Sequence, residues 1–189
     1  MIVTQLTDPG ETSVSLAELK DHMRLNQGFA DEMAENGLVG LYLDNAIATI
    51  EQKLGQALVI RSFQVETDCW DRDGVFRMPI GPVVALTGFE LVAGGASNAV
   101  EVADLAITPG RTRQVLSLAN GRPLPPILPG SKAEIRFDAG YGATGSAVPG
   151  ELRQAVLVLA AHLYENRDGD APHPSLVSKL IAPHAVVRI

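Results

Sequence analysis

Four histidines, a single cysteine, a few closely spaced aspartates and one glycine-rich junction are the groups in this chain that could do chemistry. Metal binding would need ligands at a coordinating spacing. His22, His162, His173 and His184 share none. His173 and His184 are the nearest pair, and prolines and a predicted helix separate them. With only Cys69 available, a multi-thiolate zinc site is excluded, as is any intrachain disulfide. His162 falls on an apolar helical stretch and reads as a packed or hydrogen-bonded histidine. A nucleophilic role for Cys69 is opposed by Asp68 beside it, since a neighbouring carboxylate raises a thiol's pKa; a buried structural cysteine is expected. Asp71, Asp73 and Gly74 resemble part of a calcium loop, but the flanking ligand positions hold Cys69 and Ile80, so a turn is the better reading. Asp168 and Asp170 fail in the same way. Gly140–Tyr141–Gly142 lacks the Lys and Ser/Thr of a phosphate loop and suits a strand-to-helix crossover instead. No Gly-x-Ser-x-Gly elbow or His-Glu-x-x-His pair occurs. No catalytic, cofactor-binding or metal-binding residue is therefore assigned, and no enzyme activity is expected.

The elements that must position any functional surface fall into three zones. The 189 residues suit one domain, or one domain with an insertion. A helical zone spans residues 15–55. Ser15 and Glu18 form a capping box, with Leu16, Leu19 and Met23 on one face of a short helix that ends at Asn26–Gln27–Gly28. A longer helix over residues 31–54 opens on Asp31 and Glu32. It carries Leu38, Leu41, Tyr42, Asn45, Ala46, Thr49, Ile50, Lys53 and Leu54 as its stripe and stops at Gly55. Gly37 and Gly40 invite a break. The β zone covers residues 57–142. There residues 60–70 and 75–78 read as a hairpin about Asp71–Gly74, residues 83–93 as a strand turning at Gly94–Gly95 with a return over residues 99–102, and residues 115–118 and 132–137 as further strands. A second helical zone spans residues 148–183. Its first helix presents Leu152, Ala155, Val156, Leu159, Ala160 and Leu163, ends near Asn166 and leaves through Asp168–Gly169–Asp170; a short one covers Ser175 to Ile181. Residues 184–189 form a tail. The expected fold class is α+β: a mainly α-helical bundle with an inserted small antiparallel β-sheet, in one domain over residues 1–189.

Charge excludes another class of function. The net charge is −7 and the pI about 5.0. Gripping phosphates requires a basic face, and only isolated pairs such as Arg111 and Arg113 occur. The first ten residues lack the pattern of a secretory signal, and no apolar run approaches the length of a membrane span. One cysteine suits folding in a reducing cytoplasm.

Six pieces of sequence, in order, carry a resemblance. They are Leu16–Ala17–Glu18–Leu19–Lys20 with Met23–Arg24–Leu25; the helix end Ile50–Glu51–Gln52–Lys53–Leu54–Gly55–Gln56–Ala57–Leu58; Ser62–Phe63 with Trp70; the turn Met78–Pro79–Ile80–Gly81–Pro82–Val83; the junction Phe137–Asp138–Ala139–Gly140–Tyr141–Gly142 followed by Val148–Pro149; and Ala161–His162–Leu163–Tyr164–Glu165–Asn166–Arg167. Together they resemble the head–tail connector (adaptor) family of long-tailed phages and gene transfer agents, over residues 15–183. Pro183–His184 departs from that family's Pro-Tyr-Arg-like tail.

The resemblance implies a virion structural protein at the head–tail interface, made in the host bacterial cytoplasm. It implies a homo-oligomeric ring of about twelve copies, with the portal protein on one side and a stopper or tail-completion protein on the other. DNA would pass through the lumen without specific binding, with no membrane and no cofactor involved. About twelve copies at −7 each carry roughly −84, which repels phosphate and favours sliding. The C-terminal end is expected to face the portal, through Ile181, Val186, Val187, Arg188 and Ile189. The alternatives are another ring component of the same particle (a stopper or tail terminator), a small cytoplasmic ligand-binding domain or enzyme, and, more distantly, a regulatory nucleic-acid binder.

Overall fold

A computed structural model describes residues 1–24, 32–110, 113–166 and 172–185. Several expectations lie outside the described residues: the helix end at Asn26–Gln27–Gly28, the start at Asp31, Arg111, the exit at Asp168–Gly169–Asp170, and Val186, Val187, Arg188 and Ile189. The described chain forms two compact units. One is built mainly from residues 1–10 and 60–140, the other from residues 11–59 and 141–185.

The first unit is all β. Its larger sheet has five antiparallel strands: β1 (Ile2–Gln5), β2 (Arg61–Thr67), β4 (Val83–Ala93), β5 (Ala96–Ala99) and β8 (Ser131–Ala139), in the order β1-β2-β8-β4-β5. A smaller sheet joins β3 (Phe76–Arg77), β6 (Leu105–Thr108) and β7 (Val115–Leu118) in the order β3-β7-β6. Strand β8 shows why the larger sheet has two characters. Ala133, Ile135, Phe137 and Ala139 are buried, while Lys132, Glu134, Arg136 and Asp138 alternate onto the opposite face. Phe63 stacks on Phe137 at 5.7 Å between ring centres. Trp70 packs edge-on against both Phe76 of β3 and Phe89 of β4, at 5.9 Å each, and its indole N–H donates to the Pro125 carbonyl at 2.7 Å.

The second unit is helical: α1 (Leu16–His22), α2 (Glu32–Leu54), α3 (Gly150–Glu165) and α4 (Ser175–Ile181). Its core gathers Val39, Leu43, Ala46, Ile50 and Leu54 of α2 with Leu152, Ala155, Val156, Leu159 and Ala160 of α3, closed by Leu19, Val177 and Ile181. The capping box forms as the spacing predicts: the Glu18 N–H donates to Ser15 Oγ, and the Ser15 N–H to the Glu18 carboxylate. That carboxylate also pairs with Arg153 of α3, so one side chain caps α1 and ties it to its neighbour.

Several expectations need correction. The protein is not a mainly helical bundle with a small inserted sheet: helix accounts for 35% and strand for 29%, in two antiparallel sheets. The expected hairpin about Asp71–Gly74 does not form. The turn is present, with the Gly74 N–H donating to the Asp71 carbonyl at 2.8 Å, but β2 pairs with β1 and β8 whereas β3 pairs with β7. Strands β1 and β6 were not anticipated. The return after Gly94–Gly95 comes at once, as Ala96–Ala99. The helix α2 runs unbroken past Gly37 and Gly40, and its buried stripe is Val39, Leu43, Ala46, Ile50 and Leu54, leaving Leu41 56% exposed. Cys69 is exposed and lies beyond the end of β2, not buried within a strand.

Candidate assembly surface

The groups that could do chemistry stay apart. Among the described residues no three His, Cys, Asp or Glu side chains converge as a metal site. His162 and His173 are brought together, with ring centres 6.4 Å apart, but the His162 ring nitrogen is engaged by Asn166 at 3.2 Å. His184 serves structure: its carbonyl accepts from Gln56 at 3.1 Å, and its ring sits edge-on to Tyr141. The Tyr141 hydroxyl donates to Gln56 Oε1 at 2.8 Å, and burial raises its pKa. The glycines of the crossover junction divide the work. Gly140 takes φ 146°, whereas Gly142 is needed because a Cβ there would collide with Ala147. No phosphate-loop geometry is required to explain either.

What the β unit offers is surface. The polar face of β2, β8 and β4 is stitched by side chains that pair across strands. Ser62 donates to Asp138 at 2.6 Å, Arg136 to Gln64 at 3.2 Å and Lys132 to Glu66 at 2.9 Å. Lys132 also meets Glu134 at 2.7 Å, and Arg136 meets Glu90 at 3.1 Å. The hydrogen bond from Lys132 holds Glu66 below the usual carboxylate range. The Ser97 hydroxyl, followed by the charge of Arg136, does the same for Glu90. Glu134 and Glu66 together push Lys132 up. Each of these charges is already answered, so the face presents neither a free acid nor a free base.

Two apolar features flank that sheet. At one edge, Met1, Ile2, Val3 and Leu6 are 70%, 64%, 37% and 49% exposed. At the other side, β5 pairs only with Glu90–Ala93, so no strand among the described residues covers the first half of β4. There an open cleft of about 300 Å³ is lined by Val83, Val84, Ala85, Leu86, Val102, Leu105, Ile107 and Gln114. The Gln114 amide is spent on the strand itself, accepting from the Val83 N–H and donating to the Val83 carbonyl at 3.1 Å. The cleft has no titratable group in its lining. Of the five residues singled out from sequence for partner binding, Ile181 is buried in the helical core; Val186, Val187, Arg188 and Ile189 lie outside the described residues. Sequence reasoning passed over β1. Its signal was present in the β-branched run Ile2–Val3–Thr4, bounded by Asp8–Pro9–Gly10.

Comparison over the whole chain finds solved relatives. A chain in the neck of an empty gene transfer agent (GTA) particle, computed with C6 symmetry, matches at 37% identity and a TM-score of 0.88, over 100% of this chain and 97% of that one. A chain in the virion of a native GTA particle matches at 38% identity and 0.85, and one in the neck of a native GTA particle computed with C12 symmetry at 34% and 0.82, with the same coverage. No family model and no curated protein matches. The chain belongs to the family of gene transfer agent neck and virion proteins.

Proposed function

We propose that this chain is a virion structural component of the particle neck, and within it the head–tail connector (adaptor) subunit. About twelve copies form a ring between the portal and the stopper or tail. The observation that carries this reading is the end-to-end likeness to chains built into GTA necks of C6 and C12 symmetry. The acidic balance supports a lumen through which DNA slides without being held. The chemically quiet surface supports an assembly role in preference to turnover. Attachment to the portal is assigned to residues 186–189, Val-Val-Arg-Ile, an apolar stretch with one cation.

The test is mass measurement of the purified protein, alone and with portal rings, beside a variant lacking residues 186–189. His184 is retained because it packs on Tyr141. The expected result is a stoichiometric ring on the portal for the full chain, and a folded truncated protein that fails to attach. Attachment to the tail-side protein with none to the portal overturns the adaptor assignment in favour of a stopper or tail terminator.

A further inference from the structure

We infer that neighbouring copies meet through the β unit, the apolar edge of β1 in one copy seating in the cleft beside the first half of β4 in the next. The inference rests on the ring reading above and deepens it by naming the contact. Three observations carry it. First, exposed large apolar side chains are concentrated: of eight in the described residues, Met1, Ile2, Val3 and Leu6 fall in the first six positions. Ile2 and Val3 point to opposite faces of the sheet, yet both are exposed, so the strand projects beyond whatever covers either face. An edge strand in a protein that stays alone is normally blunted by lysine, proline or a bulge; Ile2–Val3–Thr4–Gln5 has none of these.

Second, a matching acceptor exists on the same unit. Val84 is 59% exposed, and beside it the cleft is walled by Val83, Leu86, Val102, Leu105 and Ile107. No side chain of β1 or of the cleft lining is charged, so the contact itself joins apolar to apolar surface. Third, the two patches are on different sides of one sheet, since β1 is its first strand and the exposed stretch of β4 lies three strands away. A cyclic ring needs this arrangement: each copy must present two different, complementary patches, one to each neighbour. A single self-complementary patch would stop at a dimer.

Cysteine cross-linking on portal-bound rings tests the contact. Exposed Cys69 is first changed to Ser, and Ile2→Cys and Val84→Cys are then introduced singly and together. The expected result is an oxidised ladder of dimers, trimers and longer species with both cysteines, and monomers with either alone. In parallel, Ile2→Lys should keep the parent's melting temperature while losing ring mass, and Ile2→Lys with Val84→Glu should recover it. Normal rings from Ile2→Lys, or a cross-link confined within one chain, overturn the contact. If the unmodified protein attaches to the portal but no ladder appears, only this contact falls; if it does not attach, the ring reading falls with it.

Discussion

Single side chains on the polar face of the larger sheet set a pH dependence whose sign follows from their partners. Glu66 and Glu90 are held below the ordinary glutamate value of 4.5 by hydrogen bonds and neighbouring cations in the folded state. Their contribution is present above 4.5 and is lost as the pH falls from there through the depressed folded values. Lys132 is raised, so its contribution is present below its ordinary value of 10.5 and lost as the pH rises through the folded value. All three are solvent-facing, so each effect is small and screened by salt. The Glu66→Gln, Glu90→Gln double variant should therefore unfold in urea with a weaker acid dependence below pH 4.5 than the parent, while the two converge in high salt. An unchanged acid limb in low salt would show that these pairs form equally in the unfolded chain. The same scale shows why residue chemistry read from sequence was only partly reliable. Cys69 was expected to be buried because its neighbours were assigned to a strand. Strand β2 ends at Thr67, and two further residues carry the thiol out into solvent.

At the scale of elements, the helical core is the place where one substitution should be decisive. Leu159 is fully buried between α2 and α3, so Leu159→Asp places an unpaired charge there and should cost at least about 3 kcal/mol, or prevent folding. Thermal melting monitored in the far ultraviolet checks this, and parent-like melting would contradict the packing. The face of α3 was legible because Leu152, Ala155, Val156, Leu159 and Ala160, the residues it buries, recur at helical spacing. The face of α2 was not: Leu38, Leu41 and Tyr42 make as good a stripe as Val39, Leu43 and Ala46, and only the partner helix chooses between them. Turn chemistry located the chain reversals at Asp71–Gly74 and Gly94–Gly95, since glycine at φ 69°, 56° and 85° is a local requirement. It did not say which strands would pair. Strand β2 bypasses β3, the next strand along the chain, for β8, with Phe63 opposite Phe137, because that pairing buries a continuous apolar face. The five-residue partner site proposed from sequence suffered similarly. Ile181 looked like part of a free apolar tail, whereas α4 uses it as a core residue.

For the molecule as a whole, most of the −7 net charge falls in residues 11–59 and 141–185, the helical unit, while the β unit is close to neutral. Repulsion between ring neighbours is therefore weakest between β units, which favours placing their contact there. The topology of that unit also has a consequence in time. Its central strand β8 is the last to be synthesised, and β2 on one side and β4 on the other are joined only through it. A chain ending at residue 130 should accordingly lack the larger sheet and unfold without a cooperative transition; a sharp melt from that fragment would contradict the strand order. During synthesis, then, the β1–β2 and β4–β5 pairs stay unjoined until β8 has been made, and the helical unit waits longer still for Val177 and Ile181. Premature joining of copies is restrained by the order of manufacture: the β4 cleft that β1 would enter on a neighbour takes shape only when that neighbour's β8 has joined β4.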